Sequence, residues 1–209
     1  MPIVTKINTI RHAKTTYSME NRYAGSNDVP LSEIGIQDAS EASEKLSGIT
    51  FDIVLTSTLK RSIETAHLLI GNGTQCIQND LCNERNFGVM EGLTRGEVQE
   101  LDPPVLFVEV GNDLHSVNPK DGEPFEDVWE RAKKFRRFLF KEHIGSNVLI
   151  VSHGVFLQLF HGVLRGLNCI ESLSTAYPST LDLSSFHFSD NNLVFEKVMR
   201  FTGSDEKSF

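Results

Sequence analysis

The feature that most limits what this chain can become is a threefold recurrence: a short strand-like run, β-branched in the first case and apolar in the other two, ends abruptly in polar, cationic or imidazole-bearing residues. KINTI runs into Arg11 and His12, FDIVLT into Ser57 and then Arg61, and VLIV into Ser152 and His153. Continuous apolar runs this short fit strands covered on both faces, because parallel strands need crossovers that lay helices over the sheet. Helical patterns do lie between the runs. Ser32 is placed to cap a helix through EIGIQDASEASEKL, and Thr58 to cap one through LKRSIETAHLLI. From Phe125 to Glu142 the apolar residues Phe125, Val128, Trp129, Ala132, Phe135, Phe138 and Leu139 keep helical spacing, with charge on the other face. VFLQLFHGVL is apolar nearly all round, as a helix enclosed within a layered domain is. At the end, LDLSSFHFS and LVFEKVMR flank the turn signal SDNN and read as a hairpin. The expected fold is therefore α/β: a three-layer α/β/α sandwich around a mostly parallel central sheet, with a C-terminal hairpin.

The first strand covers 3–10, and a short strand lies near 75–78, after a turn at Gly71 to Thr74. NDLCNERNFGVMEGLT is a glycine-punctuated loop, Thr94 and Glu97 form a capping box, and 102–123 is a long loop.

Composition narrows the function classes. The 209 residues suffice for one well-buried domain over 1–209 and are too few for two enzymatic ones. Lys plus Arg number 20 against 28 Asp plus Glu, a net charge of −8, so no broad basic field exists for nucleic acid or an anionic membrane. Any anion pocket must be local. The three cysteines, Cys76, Cys82 and Cys169, form no paired framework and read as reduced thiols. The N-terminus lacks a secretory pattern and no apolar stretch is long enough to span a membrane, so a cytoplasmic protein is expected.

In open α/β sheets, ligands bind outside the carboxyl ends of the strands, so Arg11, His12, Arg61 and His153 are expected to converge. Two guanidinium forks and two imidazoles on an acidic protein make a pocket for a tetrahedral anion, and phosphate is its natural guest. A neutral imidazole can attack phosphorus and split one displacement into two through a phosphohistidine, with no metal and no cofactor required. Glu84, in the loop, is the candidate acid for the leaving oxygen.

At these residues the chain resembles the histidine phosphatase superfamily, the phosphoglycerate-mutase-like enzymes of the branch 1 type. RHAKTTYS resembles the signature R-H-G-E-T-x-x-N, SNDVPLSEIGIQDA resembles D-x-P-L-T-x-x-G-x-x-Q-A, and TSTLKRSIETA resembles S-x-L-x-R-A-x-x-T-A. NERNFGVMEG resembles the block with the proton donor, DGEPFEDVWER the G-E-S helix start, and VSHGV the segment of the second histidine. The resemblance implies His12 as nucleophile, Arg11, Arg61 and His153 as phosphate cage, and Glu84 as general acid. Thr15, Ser18, Gly25 and Arg85 are the further expected substrate- and phosphate-binding residues. Three positions depart from the pattern: Ala13 for Gly beside the nucleophile, Ser18 for Asn, and Pro124 for Ser. Ala13 implies either negative φ or backbone strain, and Ser18 is expected to reach phosphate directly or through water.

The function expected is a metal-independent phosphomonoesterase acting on a small phosphorylated metabolite, as a monomer or homodimer. The alternatives are a cofactor-dependent phosphoglycerate mutase, favoured by Arg85 after Glu84, and a catalytically inactive phospho-ligand binder. Against the mutase, no Arg lies between Arg95 and Arg131, where mutases place additional anion ligands. No Cys precedes an Arg by six positions, and no G-x-x-x-x-G-K-[ST] or H-E-x-x-H occurs. His67 and His161 read as core or rim residues, Trp129 with the phenylalanines as a core stripe, and His115 as an element of a lid.

Overall fold

The computed structural model describes residues 2–71, 75–117 and 119–201. The central sheet has six strands in the order β3-β2-β6-β1-β7-β8: β1 (Val4–Arg11), β2 (Ile53–Thr56), β3 (Cys76–Gln78), β6 (Asn147–Ser152), β7 (Leu183–Ser189) and β8 (Asn192–Met199). Strands β1, β6, β2 and β3 run parallel, whereas β7 and β8 add an antiparallel hairpin at one edge. That hairpin turns through Asp190 and Asn191, both at positive φ, as a two-residue turn matched to strand twist requires.

The buried strands show why short apolar runs suffice. Along β6, Val148 and Ile150 enter one apolar cluster, Leu149 and Val151 the other, as the period of two dictates. The first cluster is covered by α5 (Phe125–Glu142) and α6 (Gly154–Arg165), the second by α2 (Glu33–Leu46) and α3 (Lys60–Ile70). This is the three-layer α/β/α arrangement expected from the sequence. Ser32 caps α2 by accepting from Gly35 N at 3.0 Å, and every residue of α6 from Gly154 to Leu164 is buried.

Two local expectations are corrected. The 102–123 segment is not a structureless loop: β4 (Leu106–Val110) and β5 (Asp113–Val117) pair as an antiparallel ribbon separate from the main sheet. Thr58 does not cap α3, because Asn83 captures its N–H and hydroxyl at 2.9 and 3.1 Å. The helix starts after Leu59, and the Asp28 carboxylate receives the Lys60 N–H at 2.7 Å instead. Short helices α1 (Thr16–Met19), α4 (Arg95–Gln99, with the Thr94–Glu97 capping box) and α7 (Cys169–Leu173) complete the fold. The turn read at Gly71 to Thr74 lies, beyond Gly71, outside the described residues. Among the described residues, no helix is long and apolar enough to cross a membrane.

Candidate active site

Sheet order assembles the site. β1 and β6 are neighbours in register, Arg11 opposite Ser152, so the residues that follow them, His12 and His153, emerge side by side with ring centroids 5.1 Å apart. β2 flanks β6 and delivers Ser57, and the first turn of α3 then aims Arg61 between the imidazoles. Its Nε lies 3.2 Å from His12 Nε2 and 3.2 Å from His153 Nδ1. The other guanidinium nitrogens donate to Asn27 O at 2.7 Å and Gly25 O at 2.6 Å, which fixes the fork. Gly25 holds φ at +51°, and a Cβ there would stand 2.1 Å from Glu91 Oε1, so glycine is what allows its carbonyl to face Arg61.

Each histidine is held in one orientation. His12 Nδ1 lies 2.8 Å from Ala13 O, so the ring proton sits on that nitrogen and Nε2 keeps its lone pair, which accepts from Arg61 Nε at 3.2 Å. His153 Nε2 lies 2.7 Å from Ser57 Oγ, leaving Nδ1 toward Arg61. Burial, then the charges of Arg61 and Arg11, hold the His12 pKa well below its ordinary value. Burial and then Arg61 do the same for His153. Both rings are therefore neutral near pH 7. Burial lowers Arg61 to about 10, which still leaves it charged. Arg11 is anchored by Pro178 O at 3.2 Å and lies 5.1 Å over the Tyr177 ring, while Leu181, at φ 65°, donates its N–H to Arg11 O.

Glu84 stands at the start of α6. Its carboxylate accepts the N–H groups of Arg85, Phe156 and Val155 at 2.8, 3.1 and 3.3 Å. Arg131, on α5, holds the loop that carries Glu84. It donates to Leu81 O and Asn83 O at 2.8 and 2.9 Å and pairs bidentately with Glu123 at 2.9 Å on both oxygens. Sequence reading missed this clamp, although Glu123 and Arg131 lie eight residues apart on either side of a helix start.

The remaining expected residues separate. Thr15 and Ser18 line the cavity but are consumed by the capping box of α1: Ser18 Oγ accepts from Thr15 N at 2.7 Å and donates to Thr15 O at 2.8 Å. The single Ser18 proton is thus directed at its own helix rather than at phosphate. Ala13 is absent from the positive-φ residues and donates its N–H to Thr65 Oγ1 at 3.0 Å, so its replacement of glycine carries no left-handed strain. Arg85 is fully buried, its Nε on Glu123 O and its Nη1 on Ser116. His115 sits within β5, only 6% exposed, in the wall of the cavity. His161 bonds Thr9 Oγ1 at 2.7 Å in the core, as its sequence position implied.

Arg11, His12, Arg61 and Glu84 line a cavity of about 810 Å³. Its walls include Tyr23, Phe87, Phe107, Phe125 and Tyr177, the cations Lys14, Arg22 and Arg95, and the acid Asp113. Such a space suits a small ester with a compact anionic head and a partly apolar body. Among the described residues no cluster of His, Cys, Asp and Glu is arranged to hold a metal ion.

Comparison with known proteins agrees with this geometry. A 2,3-bisphosphoglycerate-dependent phosphoglycerate mutase of Bartonella quintana (strain Toulouse) is 31% identical over 91% of this chain and 96% of its own. The solved structure of YhfR from Bacillus stearothermophilus superposes with a TM-score of 0.77 at 27% identity, over 91% of this chain and 94% of that one. A putative alpha-ribazole-5'-P phosphatase from Escherichia coli K-12 superposes at 0.78 with 25% identity, over 93% and 94%. The family profile that matches residues 7–199, paired histidines and arginines included, is that of branch 1, and this chain belongs to the histidine phosphatase superfamily.

Proposed function

We propose that the protein is a metal-independent phosphomonoesterase of small phosphorylated metabolites, working through a phosphohistidine on His12. The observation that carries this reading is the neutral His12 Nε2 beside the Arg61 Nε–H, 3.2 Å away, with Arg11 lining the same cavity and His153 Nδ1 3.2 Å from the same Arg61 nitrogen. With phosphate in the cage, the guanidinium groups of Arg11 and Arg61 bind the non-bridging oxygens, where charge builds in the transition state, and His153, whose Nδ1 faces Arg61 Nε, orients that fork. His12 Nε2 attacks phosphorus, a P–N bond forms, the P–O bond to the leaving group breaks, and protonated Glu84 gives its proton to the departing oxygen. Water then attacks phosphorus, loses a proton to Glu84, and the P–N bond breaks to release inorganic phosphate. Throughout, Ala13 O receives the Nδ1–H of His12 and supports the positive charge that phosphorylation places on the ring.

Hydrolysis is favoured over mutase chemistry by what fills the 102–123 segment. Its ribbon gives the cavity Phe107, Asp113, Leu114, His115 and Ser116, and no arginine or lysine. Arg22, which also lines the cavity, is engaged by Glu20 and Glu97 at 2.7 and 3.0 Å. The mutase reading draws on one specific observation, the exposed Arg95 on the cavity wall, together with the printed activity of the Bartonella relative. The solved relative from Escherichia coli is instead described as a phosphatase. A phosphate-release screen over metabolite phosphoesters, run beside a 3-phosphoglycerate to 2-phosphoglycerate assay with bisphosphate primer, decides between them. Release of phosphate without isomer formation is expected. Isomer formation at a rate above phosphate release overturns the proposal.

A further inference from the structure

Beyond the phosphate cage, one wall of the cavity carries polar atoms that the chemistry at His12 does not use. His115 Nε2 and Arg85 Nη2 are both buried and both without a hydrogen-bond partner, although both residues line the cavity. Arg85 is 0% and His115 6% exposed, so neither is a solvated side chain whose partner is bulk water. Buried polar groups are ordinarily paired, and two orphans in the wall of a ligand cavity point to a ligand that completes them. They share one support: Arg85 Cζ lies 3.7 Å over the Phe125 ring, and the His115 ring meets the same ring edge-on at 5.5 Å. Arg85 is fixed there, since its Nε is held by Glu123 O at 2.7 Å and its Nη1 by Ser116 O at 3.0 Å. Burial holds the His115 imidazole below its ordinary pKa, so the ring is neutral and carries one N–H. With that proton on Nδ1, Nε2 is a bare acceptor. Asp113 precedes it by two residues, on the same side of β5, and lines the cavity too, with Oδ2 3.4 Å from Gln158 Nε2.

The sign and type of these groups select the guest. A carboxylate or second phosphate gains from Arg85 but meets the His115 lone pair and the Asp113 charge. An ammonium gains from Asp113 but meets Arg85. A neutral hydroxyl is the group that donates and accepts at one atom. We infer that this wall is a subsite for an aliphatic hydroxyl on the leaving group, whose proton goes to His115 Nε2 and whose oxygen accepts from Arg85 Nη2. The preferred substrates are then hydroxylated, polyol- or sugar-like phosphomonoesters, rather than purely alkyl or doubly anionic ones. This deepens the phosphomonoesterase reading and rests on it.

The test uses matched pairs, ω-hydroxyalkyl phosphates and their alkyl counterparts of about three to six carbons, with p-nitrophenyl phosphate, 3-phosphoglycerate and phosphoserine alongside. Both kcat/KM and calorimetric Kd are measured on the full chain. At one or more lengths the hydroxylated member is expected to win by about tenfold or more in both quantities, the scale of a hydrogen bond to a buried or charged partner. His115→Phe is expected to bring that ratio close to one, and His115→Gln, which keeps an acceptor, to restore part of it. Ratios within about twofold at every length in the parent protein overturn the subsite, as does stronger binding of 3-phosphoglycerate or phosphoserine than of the best hydroxyalkyl phosphate. Absence of p-nitrophenyl phosphate turnover counts against the hydrolase alone, because the Kd ratios still report on the wall.

Discussion

Buried histidines make acid the natural destabiliser of this protein. His161 is buried against Phe186 and bonded to Thr9, and burial, with Arg165 adding to it, lowers its pKa from 6.5 to about 3. The unfolded chain takes up a proton at this histidine near its ordinary value, while the folded chain refuses it. Stability from this group is therefore complete above pH 6.5 and declines as pH falls, until the folded value of about 3 is reached. At about 1.4 kcal/mol per pH unit, His161 alone removes about 2 kcal/mol between about pH 7.5 and pH 5. His12 and His153, both lowered well below their ordinary value, act in the same direction over the same window. Against a typical total of about 5–15 kcal/mol, the effect is large. The assay is urea denaturation at the two pH values in phosphate-free buffer, since an anion in the cage would stabilise the folded state by mass action. His161→Phe starts lower at neutral pH, by about 1 kcal/mol for the orphaned Thr9 hydroxyl. It is expected to lose about 2 kcal/mol less than the parent on acidification. Identical losses in parent and variant refute the assignment of a neutral buried imidazole.

Catalytic substitutions give further expectations. Glu84→Gln is expected to slow alkyl phosphates by about 10²–10⁴ and p-nitrophenyl phosphate far less, because a good leaving group needs little protonation; equal slowing removes Glu84 from the acid's role. Arg131→Gln releases the carbonyls of Leu81 and Asn83 that position the Glu84 loop, so kcat for alkyl esters is expected to fall more than for aryl esters at little cost in KM. A uniform fall in both esters would make Arg131 merely structural. Gly25→Ala places a Cβ against Glu91 at a positive φ and is expected to cost about 1–2 kcal/mol, read as a lowered Tm, with a raised KM as Arg61 loses its Gly25 carbonyl. An unchanged Tm and KM would contradict that role.

The cage was legible in the sequence because its members sit directly after, or one helical turn beyond, buried strands, and parallel order alone brings those strand ends together. His12 and His153 needed no knowledge of side-chain packing, only of which strands are neighbours. The ribbon of β4 and β5 was hidden for the opposite reason. Among the described residues its two five-residue strands pair only with each other, and their mixed exposure gives no core periodicity, although Gly111 and Asn112 after LFVEV were a turn signal. Thr58 and Ser18 show where local rules stop. Asn83 draws Thr58 from 25 positions away, and Thr15 takes Ser18 into a helix cap. The Arg131–Glu123 clamp on the Glu84 loop depends likewise on carbonyls about 50 residues distant in the chain.

In the proposed mechanism it is His12 that carries the phosphoryl group. Rapid mixing with a labelled phosphoester, followed by an alkaline quench and peptide mapping, tests it directly. An acid-labile, alkali-stable label on His12 in the parent, absent from His12→Asn, is the expected result. Turnover at full rate with no label trapped at any time, or a label on another residue, would contradict it.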